Sequence, residues 1–448
     1  MLHEHPSALF TDYYELTMMA GYAQAQLADA PVTFDFFFRR LPFGVDLLVT
    51  SGQAAALQFL EALRFTQADL DYLRSTSLPS DFIEQDLAKM RFTGDVWAMP
   101  EGTVAFGNEP VLRVQAPLAQ AQLVETALIN TMCYSTLVAS NAAQVRRVSG
   151  GALILEFGAR RAHGPDGAMT ASRSAYLGGC DATSNVESAK RYDMPVAGTQ
   201  AHAWVMAFDT ELESFEAFAR TFPEDCVLLV DTYDTLNTGV PNAIKVGLAM
   251  RERGEQLKGI RLDSGDLAYL STEARRMLDS AGLHDVMIVA SGDLDAQRIA
   301  ELRAKGAPID SYGVGTSLVT AKQDPTIAGV YKMAEINGVP VAKRSDTPAK
   351  TSNPGRKQVW RTDQGDVIGL DNEDQPGEPQ LVQMMANGEI IVDIPTVHES
   401  RERAIAQQAW LAEHSHDGIG RDWRVERSAA LEALRTQVLD DVADGRRD

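Results

Sequence analysis

Residues 259–293 read GIRLDSGDLAYLSTEARRMLDSAGLHDVMIVASGD. A short apolar run, Gly259–Leu262, ends in Asp263-Ser264-Gly265-Asp266. A stretch of helical character (268–280) follows, and a second apolar run (286–290) ends in Ser291-Gly292-Asp293. Strand, helix and strand in succession, with buried strands, make a parallel βα unit whose helix covers the sheet. The alternation continues outward in both directions. Further strand candidates lie at 152–157, 196–198, 226–230 and 311–314, and helical stretches at 212–219 and 295–305. Polar residues cluster directly after the strands, as FGARR, GTQAH, VDTYD, RLDSGD, ASGD and GVGTS. Functional groups gathered at strand C-termini favour an irregular (β/α) barrel, which reacts at that end. A doubly wound open sheet is the second choice. No G-x-G-x-x-G opens a helix after a strand, so a dinucleotide-binding version has little support.

At 448 residues the chain is long enough for two or three domains. The segments flanking the alternation are mixed. VTFDFFF (32–38) has strand character, 52–65 has helical spacing, and 96–114 breaks into short strands. From Leu118 to Val148 no glycine or proline interrupts one long helix or two in succession. After about Thr320 the pattern changes to a hairpin turning at Asn337-Gly338, a basic loop (344–361), an acidic stretch (369–377) and a charged helical tail from Arg401 expected to fray. These readings divide the chain into an α+β segment (1–128), the α/β barrel with the active site (129–324) and a C-terminal segment (325–448).

A formal charge of -21 argues against nucleic acid as a partner. Three cysteines far apart, Cys133, Cys180 and Cys226, form neither a disulfide framework nor a zinc motif. No apolar run approaches the roughly 20 residues that cross a bilayer. A cytoplasmic location and no membrane partner are the expectations.

Several residues suit anion chemistry. Arg160 and Arg161 leave a strand directly, and arginine grips carboxylate or phosphate through a planar fork; a salt bridge to a neighbouring helix is the competing reading. Phe157 reads as core or as a face for a flat heteroaromatic ring. The two Ser-Gly-Asp loops suit phosphate at a helix start, with their aspartates as N-caps or as ligands of Mg²⁺. Gly315-Thr316 lie after the last strand of the run, where barrels often hold phosphate. His202 follows a strand, and Asp231 or Asp234 is available to fix its tautomer.

Taken together, TDYYELTM, FFFRRLPFG, EFGARRAHGPDG, GTQAHAW, DTYDT, RLDSGD and GVGTSLVT resemble the nicotinate phosphoribosyltransferase family over roughly four-fifths of the chain. The resemblance implies an irregular α/β barrel with a second α+β domain built from both chain ends. It implies nicotinate and 5-phosphoribosyl 1-pyrophosphate as substrates, ATP as co-substrate, Mg²⁺, and a homodimer with shared active sites. By position, Tyr14 of a neighbouring subunit and Phe157 would sandwich the pyridine ring, Arg160 would meet its carboxylate and Thr199 would line the pocket. His202 would be phosphorylated and held by Asp231. Arg261 would contact the substrates, Asp263 would face Mg²⁺-pyrophosphate, and Gly315 and Thr316 would hold the 5-phosphate. Nicotinamide phosphoribosyltransferase shares the fold, but a neutral amide has no need of concentrated positive charge. A sugar-phosphate aldolase or isomerase would need a Schiff-base lysine, for which Lys245 is the candidate, or a carboxylate base near a strand end, and a catalytically silent sensor would not need His202.

Overall fold

The computed structural model describes residues 7–45, 47–344, 351–415 and 423–443. The middle of the basic loop (345–350) and two pieces of the tail (416–422 and 444–448) lie outside the described residues. The chain divides into two compact units, Asn141–Pro325 and Met1–Ser140 with Thr326–Asp448.

The first of these units is the alternating stretch. Its six strands are β1 (Leu153–Glu156), β2 (Ala182–Thr183), β3 (Val227–Leu229), β4 (Gly259–Leu262), β5 (Met287–Ala290) and β6 (Ser311–Val314). They form one parallel sheet in the order β2-β1-β6-β5-β4-β3. Parallel strands are short and apolar here because helices cover them. Ile154, Leu228, Leu229, Ile260, Leu262, Ile288, Ala290 and Val314 are all inaccessible to solvent.

The candidate strand at 196–198 is not a regular one. Val196 makes a single parallel bridge to Thr183, the Ala197 N–H donates to Thr183 O (2.9 Å), and the Gln200 amide reaches Val227 O at 3.4 Å. Pro195, which has no N–H to give, precedes this segment. The segment 196–200 thus links β2 and β3 by single contacts in place of a seventh strand. The stretch after Arg161, to which no element was assigned from the sequence, is ordered. It contains the helix Gly164–Gly178, with proline at its start and Gly179 as its cap at φ 128°. Its buried side mixes small residues, Ala168, Ala171, Ser172 and Ala175, with Met169, Tyr176 and Leu177.

The other unit is built on a seven-stranded antiparallel sheet. Pro31–Phe38 pairs with Gly329–Ile336 on one side and with Pro110–Pro117 on the other. Burial on both faces accounts for the unbroken aromatic run VTFDFFF; its one charge, Asp35, is buried with Lys357 at 2.7 Å. The glycine-free stretch forms two helices, Leu118–Leu123 and Glu125–Ser149. The expected hairpin is present, Gly329–Ile336 with Val339–Pro340 about Asn337-Gly338. The tail is better anchored than its charge suggested. Helix Val397–His414 starts in a Thr396/Glu399 capping box, Arg424–Arg427 pairs in parallel with Gly365–Leu370, and helix Ala429–Ala443 buries Leu431 and Val438. Among the described residues no helix is long and apolar enough to cross a membrane.

Candidate active site

At the C-terminal end of the parallel sheet, residues that follow different strands touch one another. Asp263, directly after β4, accepts a hydrogen bond from Ser291 Oγ after β5 at 2.5 Å. Its backbone N–H donates to Asp231 Oδ2 after β3 at 2.9 Å, and Ser264 Oγ donates to the same oxygen at 2.6 Å. Gly292, at φ 90°, is needed for this seam, because a Cβ there would lie 2.0 Å from Asp263 O. The two Ser-Gly-Asp loops therefore brace one another.

The N-cap reading is right for one loop and displaced in the other. Asp266 accepts from Ala268 N and Tyr269 N at the start of Leu267–Ser280. In the second loop the cap is Asp295, two residues beyond Asp293, which accepts from Arg298 N at 2.8 Å. Asp234 is likewise a cap, for the turn Thr235–Gly239.

His202 does not meet Asp231 as expected. Its Nδ1 lies 3.1 Å from Thr232 Oγ1, and its Nε2 lies 3.9 Å from Asp263 Oδ2. Asp231 is occupied in holding the Asp263-Ser264 turn. One of its oxygens, Oδ1, is buried with no hydrogen-bond partner among the described residues.

Arg261 lies near the end of β4, with its side chain 13% exposed. Nη1 donates to Thr199 Oγ1 at 2.5 Å and Nη2 is 3.8 Å from Asp263 Oδ1, while Nε is buried and unpartnered. Burial pulls its guanidinium below the ordinary value; Asp263 and Asp231 oppose this, and the charge of Arg160 adds to it. Arg160 and Arg161 stand on the turn Ala159–Arg161, both exposed. No hydrogen bond or ion pair engages Arg160 among the described residues, so the salt-bridge alternative for it has no support. Two arginines thus repel one another across space that an anion would neutralise.

Beside them Phe157 is half-buried, its N–H bonded to Val314 O at 2.8 Å. Gly313 leaves room for the ring, since a Cβ there would come within 2.6 Å of Phe157 Cδ2. Gly315 packs on the backbone of Phe157 and Gly158, and Gly315 and Thr316 remain partly open to solvent. Beneath them Ser317 Oγ donates to Leu294 O, and Asn141 Nδ2 donates to Ser317 O at 2.9 Å.

Tyr14 belongs to the other unit, on helix Tyr13–Gln24, with half its surface exposed. Lys245 is exposed on helix Val240–Glu252 and bonded to Asn242, which removes the support for a Schiff-base lysine at a strand end.

Glu156, Thr232 and Asn141 were not singled out from the sequence. Glu156 did carry a signal, a polar residue against a strand's last apolar one, and Thr232 lies in the polar cluster just past Asp231. Asn141 lies within an unbroken helix and carried none.

Among the described residues no group of three or more His, Cys, Asp or Glu forms a ready metal cage. The donor set instead suits Mg²⁺, which is commonly held by one or two carboxylates and completed by substrate phosphates and water. The partly exposed carboxylate of Asp263 and the orphaned Asp231 Oδ1 fit that description.

A (β/α) barrel that carries arginines and an aromatic face after its strand ends is the class this geometry defines. Residues 9–133 match the family model for the nicotinate phosphoribosyltransferase N-terminal domain, and residues 153–388 match that for the nicotinate phosphoribosyltransferase family. The chain is 45% identical to a nicotinate phosphoribosyltransferase of Mycobacterium tuberculosis over 91% of its own length and 88% of the relative's. It is 46% identical to that of Bacillus subtilis, over 84% and 78%. The fold superposes on human nicotinic acid phosphoribosyltransferase with a TM-score of 0.83 at 30% identity, covering 96% of this chain and 99% of that one. The chain belongs to the nicotinate phosphoribosyltransferase family.

Proposed function

We propose that the protein transfers the phosphoribosyl group of 5-phosphoribosyl 1-pyrophosphate to the ring nitrogen of nicotinate. The products are nicotinate mononucleotide and pyrophosphate, a salvage step toward NAD. The observation that carries this reading is the unpaired Arg160 with Arg261 beside the half-buried ring of Phe157. A planar acid satisfies both features at once. A neutral amide would leave the arginines facing each other without compensation.

In this reading Phe157 stacks on the pyridine, Tyr14 of a partner subunit in a homodimer covers its other face, and Arg160 takes the carboxylate. Thr199 lines the pocket and orients Arg261, which reaches both substrates. Gly315 and Thr316 bind the 5-phosphate through their backbone and hydroxyl groups. Asp263, supported by Asp231, faces the pyrophosphate. Mg²⁺, when bound there, would neutralise charge on the departing pyrophosphate. The ring nitrogen is the nucleophile toward the anomeric carbon as the C–O bond to pyrophosphate breaks.

ATP coupling enters through His202. The imidazole attacks the γ-phosphorus and releases ADP; water later takes the phosphoryl group as phosphate. In the interval the phosphohistidine places negative charge near the developing ribosyl cation. Asp231 acts on this step through the Asp263 turn, while Thr232 holds the imidazole directly.

The test is pyrophosphate release with nicotinate, nicotinamide or quinolinate, each with and without ATP. Release with nicotinate, raised by ATP and lost from His202→Ala only in its ATP-dependent part, is expected. Preference for nicotinamide would overturn the assignment of substrate. An unchanged acid-labile label from γ-labelled ATP in His202→Ala would overturn the phosphohistidine.

A further inference from the structure

Glu156 ends β1 and is completely buried, yet nothing in the chemistry above uses it. Its Oε1 accepts from the Gly158 N–H, and its Oε2 accepts from Ser172 Oγ (2.9 Å) and Thr183 Oγ1 (2.6 Å). The direction of these bonds is set from outside. Asn185 caps helix Val186–Tyr192 by accepting from Ser188 N, which turns its amide nitrogen toward Ser172 Oγ at 3.2 Å. Its backbone N–H donates to Thr183 Oγ1 at 3.0 Å. Both hydroxyls are therefore accepting from Asn185 and hand their protons on to Glu156. With the amide of Gly158, three donors converge on one side chain, and an acceptor-only carboxylate answers all three.

The consequence falls on the turn after β1. Gly158 is the residue between Phe157 and the Ala159–Arg161 turn, and that turn closes when the Arg161 N–H donates to Gly158 O at 2.7 Å. Packing is close at this point: a Cβ on Gly158 would sit 2.3 Å from Val319 Cγ1. Glu156 therefore ties together β1, β2, the helix Gly164–Gly178 and the backbone between Phe157 and Arg160.

We propose that Glu156 is a positioning residue for recognition of the pyridine acid. It fixes the Phe157 ring and the Arg160 guanidinium as one unit, by holding Gly158. The inference rests on the nicotinate reading of this pocket. The phosphate-binding residues, Gly315 and Thr316, follow the neighbouring strand β6; Gly315 packs on the Gly158 backbone, but neither residue makes a hydrogen bond to Glu156 among the described residues, and the next residue, Ser317, is held separately by Leu294 and Asn141.

The test is Glu156→Gln, nearly the same shape but with a donor where an acceptor is needed. A lost hydrogen bond to a charged group corresponds to roughly tenfold or more. The nicotinate KM should rise by about that factor, the phosphoribosyl pyrophosphate KM should stay within about twofold, and the preference for nicotinate over nicotinamide should shrink. A general loss of structure would move both constants together, and that result, like an unchanged nicotinate KM, overturns the assignment. If Glu156→Gln does not fold, Ser172→Ala removes one of the three donors. It should raise the nicotinate KM about threefold, the size of a modest hydrogen bond, with the other constant unchanged; no rise overturns the assignment. A wild-type protein that does not use nicotinate overturns the underlying reading. An active wild type with an indifferent Glu156→Gln overturns this inference alone.

Discussion

Replacing Arg261 by lysine keeps a positive charge at the end of β4 and removes the planar fork. The guanidinium is largely buried, bonded to Thr199 Oγ1 at 2.5 Å, with Nη2 3.8 Å from Asp263 and Nε unpartnered. An ammonium at the end of a flexible stem cannot serve Thr199 and a substrate oxygen in that geometry. Each hydrogen bond to a charged group is worth about 1.5–3 kcal/mol, so one lost to the transition state lowers kcat/KM by roughly 10- to 150-fold. Steady-state kinetics with each substrate varied in turn would measure this in Arg261→Lys. Thr199→Val should lose less, since it leaves the guanidinium in place but unanchored. If Thr199 acts through Arg261, the double variant should be no worse than Arg261→Lys alone. A loss below about threefold in Arg261→Lys, within the size of a marginal surface contact, would refute the role given to the fork. Strict additivity of the two substitutions would refute the coupling.

Other consequences are equally open to measurement. Gly313→Ala puts a methyl group 2.6 Å from Phe157 Cδ2; nicotinate use should fall by roughly 5- to 150-fold, the 1–3 kcal/mol cost of overpacking, and an unchanged nicotinate KM would contradict the ring's placement. Burial and the neighbouring Asp366 push the Glu109 carboxyl well above its ordinary value, against the pull of Arg361. A group raised on folding stabilises fully below its unfolded pKa of about 4.3 and loses that contribution, about 1.4 kcal/mol per pH unit, as pH rises toward the folded value. Glu109→Gln should therefore flatten the fall in apparent Tm from pH 5 to 8, and a parallel downward shift at every pH would refute the argument. If a partner subunit supplies Tyr14, mixing Tyr14→Ala with His202→Ala should restore ATP-stimulated activity through mixed dimers; no recovery after confirmed subunit exchange would assign Tyr14 to its own subunit's site or to none.

Much of the barrel was legible because strand, helix and polar strand end recur with regular spacing. At β4, β5 and β6 the reading and the structure differ by at most one residue. The reading failed where side-chain size replaced hydrophobic periodicity. The helix Gly164–Gly178 was not read from the sequence, because glycine, proline and aspartate crowd its start and its buried Met169, Tyr176 and Leu177 are interleaved with alanine and serine. The strand expected at 196–198 failed for a related reason: it borrows single contacts from β2 and β3 in place of a ladder. Within the site, residue types and their strand ends were readable, but partners were not. Asp231 and Asp263 both follow strands, and only the three-dimensional arrangement gives His202 to Thr232 and Asp263 and turns Asp231 toward the Asp263-Ser264 turn. Glu156 escaped notice because its three donors come from three separate parts of the sequence.

The central claim is that an arginine pair beside an aromatic face selects a pyridine acid. Direct competition tests it: wild-type protein, phosphoribosyl pyrophosphate and equal concentrations of nicotinate and nicotinamide, with the two mononucleotides resolved by mass. Nicotinate mononucleotide should form almost alone, with the ratio reduced by roughly 10-fold or more in Arg160→Ala, the effect of one charged hydrogen bond. Comparable amounts of both products from the wild type, or an unchanged ratio in Arg160→Ala, would contradict it.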